Sequence, residues 1–258
     1  MLSKHEIKYI RSLEMKKFRK EYGVFLAEGG KLVEEIMSGF YCRMLVAGKK
    51  WLSEHPAVKA DKIFEVAPDD LSRISLLKTP KDVLAVFDCP VYSIETVDPS
   101  SKLVLAVDGV QDPGNFGSIV RLADWYGIED IICSQDTVDV FNPKTVQATM
   151  GAVTRVKIHY VSLSGYLSRL SGIPVYGTFL EGDNIYARQL SSFGVIVLGN
   201  EGRGIRPDIS KLVTSRLFIP NYPEGRETSE SLNVAAAGAV ICSEFRRRQL
   251  ILSNVISN

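Results

Sequence analysis

The chain has 258 residues, enough for one large domain or two modest ones. Hydrophobic residues make up 45% of it, charged residues 24%, and the net charge is +1, which is typical of a water-soluble globular protein. No apolar stretch reaches the roughly 18 to 20 residues of a membrane span, and the N-terminus has no continuous apolar run. We therefore expect neither a membrane segment nor a secretory signal.

Basic residues are concentrated at the N-terminus. Residues 1–20 carry seven lysines and arginines against two acids, and a second basic cluster, Arg246–Arg248, lies near the C-terminus. Such clusters suit a phosphate backbone, and the alternative is a solvated helix face. Near-helical spacing of apolar residues predicts a helix over residues 3–20. These apolar residues are Ile7, Ile10, Leu13 and Phe18.

Short apolar runs alternate with helical segments over the first 90 or so residues, which predicts a small α/β domain. Strands are expected at 23–29, 42–47, 63–66 and 83–87, and helices at 31–38, 51–54 and 68–77. The segment 88–101 is rich in Pro, Ser and Asp and has little periodicity, so we interpret it as a linker. This predicts one domain over residues 1–95 and a second over residues 102–258.

The alternation is clearer from Lys102 onward. Strands are expected at 103–107, 130–133, 153–158, 174–179, 194–198 and 216–219, and helices at 117–126, 143–150, 162–170, 206–212 and 229–248. Several of these strands, such as LVLAV and VIVLG, are apolar throughout rather than alternating. This pattern is typical of a parallel sheet that helices cover on both faces.

Three of these strands end in polar or glycine-rich turns. The segments are VDGVQDPGNFGSIVR (107–121), VIVLGNEGRGI (195–205), and FIP (218–220) followed by SLNV (231–234). A strand, a glycine loop and a helix start are where α/β proteins hold anionic or ribose-bearing ligands. Three such turns in one half of the chain indicate a ligand site.

Each polar side chain in these turns also has a structural interpretation. Asn115 could bind a ribose or phosphate or could cap a helix, and Arg121 could be a surface ion-pair residue. Glu201 could hold a ligand hydroxyl or cap a backbone amide. Ser231 and Asn233 could shape a pocket or could cap the Ala-rich helix that follows them.

Several common site types are not indicated. The glycine-dense GNEGRG is neither a dinucleotide fingerprint nor a P-loop. The three histidines are far apart and predict no metal site. The four cysteines are scattered without a C-x-x-C pair, which indicates buried free thiols and a reducing, cytoplasmic setting.

Taken together, N-F-G-S-I-V-R, L-G-N-E-G-R-G and I-P…S-L-N-V resemble the three signature motifs of the SpoU (TrmH-type) RNA 2'-O-ribose methyltransferases of the SPOUT superfamily. The resemblance covers roughly residues 103–248, and the motifs are specific when they occur in this order and spacing. The opening segment, from S-K-H-E-I-K to G-V-F-L-A-E-G-G-K-L-V, is similar to the small RNA-binding domain that precedes the catalytic domain in many of these enzymes.

The resemblance implies a sheet threaded into a trefoil knot, a bent S-adenosylmethionine held by the knot loops, a homodimer and an RNA substrate. It maps the largely backbone cofactor contacts onto Gly199, Ile219 and Leu232. It maps the functional side chains onto Asn115, Arg121, Glu201, Ser231 and Asn233.

The third motif departs from the family pattern. Members usually have a short turn between I-P and S-L-N, whereas residues 221–230 form a charged ten-residue loop here, with Ser229 close to Ser231. The implied function is methylation of a ribose 2'-hydroxyl in structured RNA, with ribosomal RNA favoured over transfer RNA because of the extra N-terminal domain. The alternative is a non-catalytic RNA-binding or ribosome-assembly protein that keeps the fold.

Overall fold

A computed structural model describes residues 2–223 and 226–256, and of residues 251–256 it describes only the backbone. The helices are α1 Lys4–Ser12, α2 Lys16–Tyr22, α3 Gly30–Met37, α4 Lys49–Glu54, α5 Pro68–Ile74, α6 Pro113–Trp125, α7 Pro143–Thr149, α8 Leu163–Leu167, α9 Pro207–Ser210 and α10 Val234–Ile256. The strands are β1 Val24–Glu28, β2 Cys42–Ala47, β3 Lys62–Glu65, β4 Val83–Asp88, β5 Leu103–Val107, β6 Asp130–Ser134, β7 Lys157–Val161, β8 Val175–Asn184, β9 Gly194–Leu198 and β10 Ser215–Phe218.

The chain divides into two compact units, and each unit is formed by two separate segments of the sequence. Unit 1 contains the chain up to Val91 together with Asp139–Arg155. Unit 2 contains Tyr92–Val138 and the chain from Val156 onward. None of the helices described is long and apolar enough to cross a membrane.

Unit 1 is built on a four-stranded mixed sheet in the order β1-β4-β2-β3. β4 is antiparallel to both of its neighbours, whereas β2 and β3 are parallel. The predicted α/β alternation is confirmed here, with strand ends within about two residues of those expected. One face of the sheet packs against α1 and α5 through a core that includes Ile10, Leu13, Leu26 and Ile74.

The expected single helix over residues 3–20 is wrong, because the segment forms two helices. α1 begins with a capping box, in which the side chains of Ser3 and Glu6 each bond to the backbone of the other residue. The break follows at Leu13, which is fully buried. The guanidinium of Arg19 satisfies the carbonyls of Leu13 and Glu14 at 2.8 and 2.7 Å, so the break leaves neither carbonyl without a donor.

Residues Asp139–Arg155 complete unit 1. Phe141 stacks on Phe25 with ring centroids 4.6 Å apart, and the Gln147 amide donates to the Glu28 carbonyl at 2.7 Å. Arg19, whose side chain is 3% exposed, pairs with Asp139 at 2.6 Å. Arg19 is therefore a structural residue of unit 1 and is not part of an exposed basic arm.

Unit 2 is built on a six-stranded sheet in the order β10-β8-β9-β5-β6-β7. All five strand pairings are parallel, as the continuous apolar runs predicted. Every residue of β5, β6 and β9 is buried.

Several expected elements of the second half have different bounds. The helix expected at 117–126 begins at Pro113, and the strand expected at 174–179 continues to Asn184. The first two residues of the expected strand 153–158 belong to a 3-10 turn, Ala152–Thr154, and the strand begins at Lys157. The turn follows Gly151, which has φ +90°, and the Thr154 hydroxyl donates to the Gly151 carbonyl at 2.8 Å. The last helix was expected from residue 229 but begins at Val234, because Asn233 caps it.

The basic cluster Arg246–Arg248 is bound within unit 2. Arg246 donates to the Tyr126 carbonyl at 2.7 Å, and Arg247 and Arg248 both pair with Glu244 at 2.7 Å. Hydrogen bonds from these two arginines lower the pKa of the Glu244 carboxyl to about 2. All three arginines of the cluster therefore have hydrogen-bond or ion-pair partners within unit 2.

All four cysteines are free. Burial raises the pKa of Cys42 to about 11 and those of Cys89 and Cys242 to about 12, and raises that of Cys133 well above its ordinary value. Because the thiolate is the reactive form, these thiols are poor nucleophiles. Cys42, Cys133 and Cys242 are buried as expected, whereas Cys89 is only partly buried.

Candidate active site

The site is positioned by two neighbouring parallel strands. β5 and β9 pair along their whole length, and their last residues, Val107 and Leu198, are opposite each other in the register. The loops that carry the first two motifs therefore leave the sheet side by side. Carboxyl ends of parallel strands are the usual ligand edge of an α/β sheet.

Three expected side chains, one from each motif, form a continuous hydrogen-bond chain. The Asn233 amide nitrogen donates to Asn115 Oδ1 at 2.8 Å. The Asn115 amide nitrogen in turn donates to Glu201 Oε1 at 2.8 Å. Asn233 and Glu201 are 118 and 86 residues from Asn115 in the sequence, so only the fold brings the three together.

Helix capping positions two of these three residues, the central Asn115 and the terminal Asn233. Asp112 caps α6 by accepting from the Asn115 backbone amide at 2.7 Å, with Pro113 as the first helical residue. Asn115 itself is therefore not the cap, and its amide is free to bridge the other two motifs. Asn233 does cap α10, because its Oδ1 accepts from the backbone amides of Ala235 and Ala236.

Arg121 lies on α6, six residues after Asn115. Its side chain is exposed, and it makes no hydrogen bond or ion pair with residues 2–223 or 226–250. The alternative of a surface ion pair therefore finds no partner in this part of the chain. An exposed, unpaired guanidinium can bind an anionic or phosphate-bearing ligand.

The residues expected to contact a cofactor lie at the ends of strands or before α10. Gly199 directly follows β9, and a Cβ there would approach the Gly204 carbonyl carbon to 2.4 Å, so the turn requires glycine. Ile219 directly follows β10 and is half-buried. Leu232 precedes α10 and is 54% exposed, which leaves apolar surface available to a ligand.

Ser231 is not joined to the chain of three side chains. It is exposed and makes no hydrogen bond with the residues that the structure describes. Within the long loop 221–230, Glu224 and Gly225 lie outside the described residues. The roles expected for Ser231 and for this loop stay predictions.

The sequence interpretation missed three residues that support these loops, namely Asp108, Asn200 and Arg206. Asp108 is 1% exposed and pairs with Arg206, and Asn200 bonds to the Gly109 carbonyl. A charged residue directly after a buried apolar strand is a signal that could have identified Asp108. Its partner lies 98 residues away, so the pairing itself had no local signal.

The described residues contain no group of three or more His, Cys, Asp or Glu side chains that could hold a metal ion. The site brings together amide and carboxylate groups, and the guanidinium of Arg121 lies on the same helix as Asn115. Such groups orient and stabilise charge in a reaction whose leaving group is supplied by the substrate or cofactor.

Residues 102–243 match the SpoU rRNA Methylase family, and residues 4–85 match the MRM3-like substrate binding domain. Among curated relatives, the chain is 31% identical over 247 residues to the 23S rRNA (guanosine(2553)-2'-O)-methyltransferase RlmP of Bacillus subtilis. That alignment covers 93% of this chain and 96% of the relative.

Solved structures of RNA methyltransferases are also similar to this chain. A chain described as an RNA methyltransferase of the TrmH family from Porphyromonas gingivalis is 42% identical, with a TM-score of 0.86 and coverage of 96% and 99% of the two chains. An AdoMet-bound rRNA methyltransferase from Sinorhizobium meliloti is 28% identical, with a TM-score of 0.83 and coverage of 96% of each chain.

Proposed function

Because the chain belongs to the SpoU rRNA methylase family, we propose that it transfers a methyl group from S-adenosylmethionine to a ribose 2'-hydroxyl of RNA, with ribosomal RNA as the favoured substrate. One observation carries this proposal. The Asn233–Asn115–Glu201 chain joins all three motifs, and the unpaired Arg121 extends from the same helix as Asn115.

The residues at the strand ends fit such a cofactor. Backbone groups at Gly199 and Ile219 and the exposed side chain of Leu232 offer hydrogen bonds and apolar contact for an adenosine group. When bound, the cofactor supplies a sulfonium methyl group, which is already a good electrophile. The protein then needs chiefly to align the ribose oxygen with that methyl.

When bound, S-adenosylmethionine would supply its methyl group to the 2'-oxygen and leave as S-adenosylhomocysteine, and the hydroxyl proton would pass to solvent water. Arg121 stabilises the negative charge that develops on the oxygen and binds the adjacent phosphate. A guanidinium stays protonated in nearly all protein settings, so we assign charge stabilisation to Arg121 in preference to the role of base. Asn115 and Glu201 orient the ribose, and Asn233 and Ser231 shape the pocket.

Unit 1 is proposed to bind the RNA. Of the seven basic residues at the N-terminus, Arg19 is buried and the other six are exposed. The exposed six can neutralise RNA phosphates. These are Lys4, Lys8, Arg11, Lys16, Lys17 and Lys20. The match of residues 4–85 to a substrate-binding domain supports this assignment.

Further features of the family are proposed for this chain. They are a trefoil knot in the loops of the parallel sheet, a domain boundary within residues 88–101, and a cytoplasmic location. The free thiols fit that location.

The proposed homodimer would use the surface of α6 and α10. Trp125 is 85% exposed there and Tyr186 52%. A shallow groove on this surface is lined by four apolar or aromatic residues, Tyr126, Tyr186, Ala239 and Val240, and by the polar Ser243 and Glu244. An exposed apolar surface beside a groove is typical of a protein–protein interface.

The first test is calorimetric titration with S-adenosylhomocysteine, the demethylated product. Micromolar binding at one or fewer sites per subunit is expected. Transfer of tritium from methyl-labelled S-adenosylmethionine to protein-free ribosomal RNA then tests catalysis. Binding of RNA without any transfer would favour the non-catalytic alternative, and alkali-resistant labelled dinucleotides would identify the 2'-oxygen as the acceptor.

A further inference from the structure

Asn200 closes the glycine turn at the end of β9. Its backbone forms a two-way bridge with Gly204, with N–O distances of 3.0 and 2.8 Å. Its Oδ1 accepts from the backbone amides of Gly202 and Arg203 at 3.0 and 3.1 Å. The same side chain leaves the turn on its other side, where its amide nitrogen donates to the Gly109 carbonyl at 2.7 Å. Asn200 therefore shapes the turn and fastens it to the loop after β5.

Arg206 provides a second attachment at the far end of the turn. Its Nε and Nη2 contact Asp108 Oδ1 at 2.7 and 2.6 Å, and its backbone amide donates to Oδ2 at 2.8 Å. The Asp108 side chain is fully buried, and the Asp108 amide donates to the Leu198 carbonyl at 2.9 Å. Three donors from one residue thus neutralise a buried carboxylate at the end of β5.

The turn 199–204, which Asn200 and Arg206 hold, carries both groups that the proposed reaction needs from it. Gly199 offers backbone to the cofactor, and Glu201 holds the Asn115 amide. A turn held at one end only would occupy the competent geometry for a smaller fraction of the time. The apparent affinity for a ligand falls in proportion to that fraction.

We propose that Asn200 and Arg206 are positioning residues, which fasten the turn 199–204 to the end of β5 and so set the geometry of the cofactor and ribose sites. This inference rests on the proposed methyl transfer. It assigns no contact with substrate to either residue.

The test uses Asn200→Ala in the full chain, with calorimetric titration of S-adenosylhomocysteine and steady-state methyl transfer. Loss of these side-chain hydrogen bonds is expected to weaken S-adenosylhomocysteine binding about tenfold, since each contributes modestly. The KM for S-adenosylmethionine should rise in parallel, and kcat should fall because Glu201 loses its fixed position.

Asn142→Ala is the matched control. Asn142 Oδ1 accepts from the Lys144 backbone amide at 2.9 Å, which is the same two-residue spacing as the bond from Asn200 to Gly202. It lies in unit 1, so its loss should lower stability while binding and turnover stay at wild-type values.

Two further variants separate the attachments. Asn200→Asp keeps an acceptor for Gly202 and Arg203 but replaces the donor to Gly109 with an oxygen, so it should also weaken binding. Arg206→Ala would leave Asp108 buried and unpaired and could fail to fold. Arg206→Lys retains the charge but not the contact of two side-chain nitrogens with Asp108. Its affinity for S-adenosylhomocysteine should lie between those of the wild type and Arg206→Ala.

The outcomes distinguish this inference from the proposed function. A wild-type chain that neither binds S-adenosylhomocysteine nor transfers a methyl group overturns both. A wild-type chain that does both, alongside Asn200→Ala and Asn200→Asp variants with unchanged affinity and kcat, overturns the positioning role alone. Equal losses of affinity in Asn200→Ala and Asn142→Ala would also overturn it, because they would indicate general destabilisation.

Discussion

The three arginines in the middle of α10 and the arginine of α6 serve different purposes in unit 2. Arg246, Arg247 and Arg248 bind backbone carbonyls and Glu244, so their charges hold the helix in place. Arg121 is exposed and has no partner among the described residues. The comparison shows that a run of basic residues in a sequence can be bound by internal partners, whereas a single arginine on a neighbouring helix can stay exposed.

Arg19 extends the comparison to unit 1 and should show the largest effect on stability. Arg19→Ala leaves Asp139 without its partner and frees the carbonyls of Leu13 and Glu14. The free energy of unfolding should fall by about 3 kcal/mol or more, because breaking a buried ion pair leaves an uncompensated charge. Chemical denaturation measures this. Exposed Lys20→Ala is the control and should change stability by no more than about 0.5 kcal/mol.

Arg121→Ala should impair catalysis and not stability, in contrast to Arg19→Ala. We expect kcat for methyl transfer to fall by about a hundredfold to a thousandfold, because a group that stabilises developing charge is lost. The affinity for S-adenosylhomocysteine should stay within about threefold of wild type, since the cofactor contacts are proposed elsewhere. Arg121→Lys should restore only part of the rate, because it lacks the planar fork. A collapse of cofactor binding would show that this role is wrong.

Asn115 tests whether the hydrogen-bond chain matters as a unit. Asn115→Ala should lower kcat by about tenfold or more, since both side-chain bonds disappear. Asn115→Asp should be worse at neutral pH, because the introduced carboxylate faces Glu201. Its rate should recover in part as the pH falls and one carboxyl becomes protonated. Equal rates for the two variants across pH would contradict this arrangement.

Glu244 gives the smallest expected effect and a defined pH range. Its pKa is lowered from the ordinary 4.5 to about 2, so its stabilising contribution is complete above about pH 4.5 and is lost as the pH falls toward about 2. Glu244→Gln should therefore cost about 1 to 2 kcal/mol at neutral pH, and the difference from wild type should shrink over that range. Urea denaturation at several pH values measures it. A constant difference across pH would mean that the ion pairs contribute little.

Most of the architecture could be predicted from sequence patterns, because the features concerned are local. The apolar runs identified β5, β6 and β9, and their lack of alternation correctly predicted parallel pairing. The errors occurred where a tertiary contact overrode a local preference. Leu13 and Arg19 break one predicted helix into two, and the turn after Gly151 replaces the start of a predicted strand.

The sequence by itself determined the three motifs, the family and the identity of the candidate site residues. The tertiary structure decided which of those residues meet. It joined Asn233, Asn115 and Glu201, left Ser231 outside that chain, and added Asp108, Asn200 and Arg206. It also placed residues 139–155 in unit 1 and paired Asp139 with Arg19 across 120 positions. The physical reason is that capping and periodicity act within a few residues, whereas these hydrogen bonds and ion pairs form only when distant segments pack together.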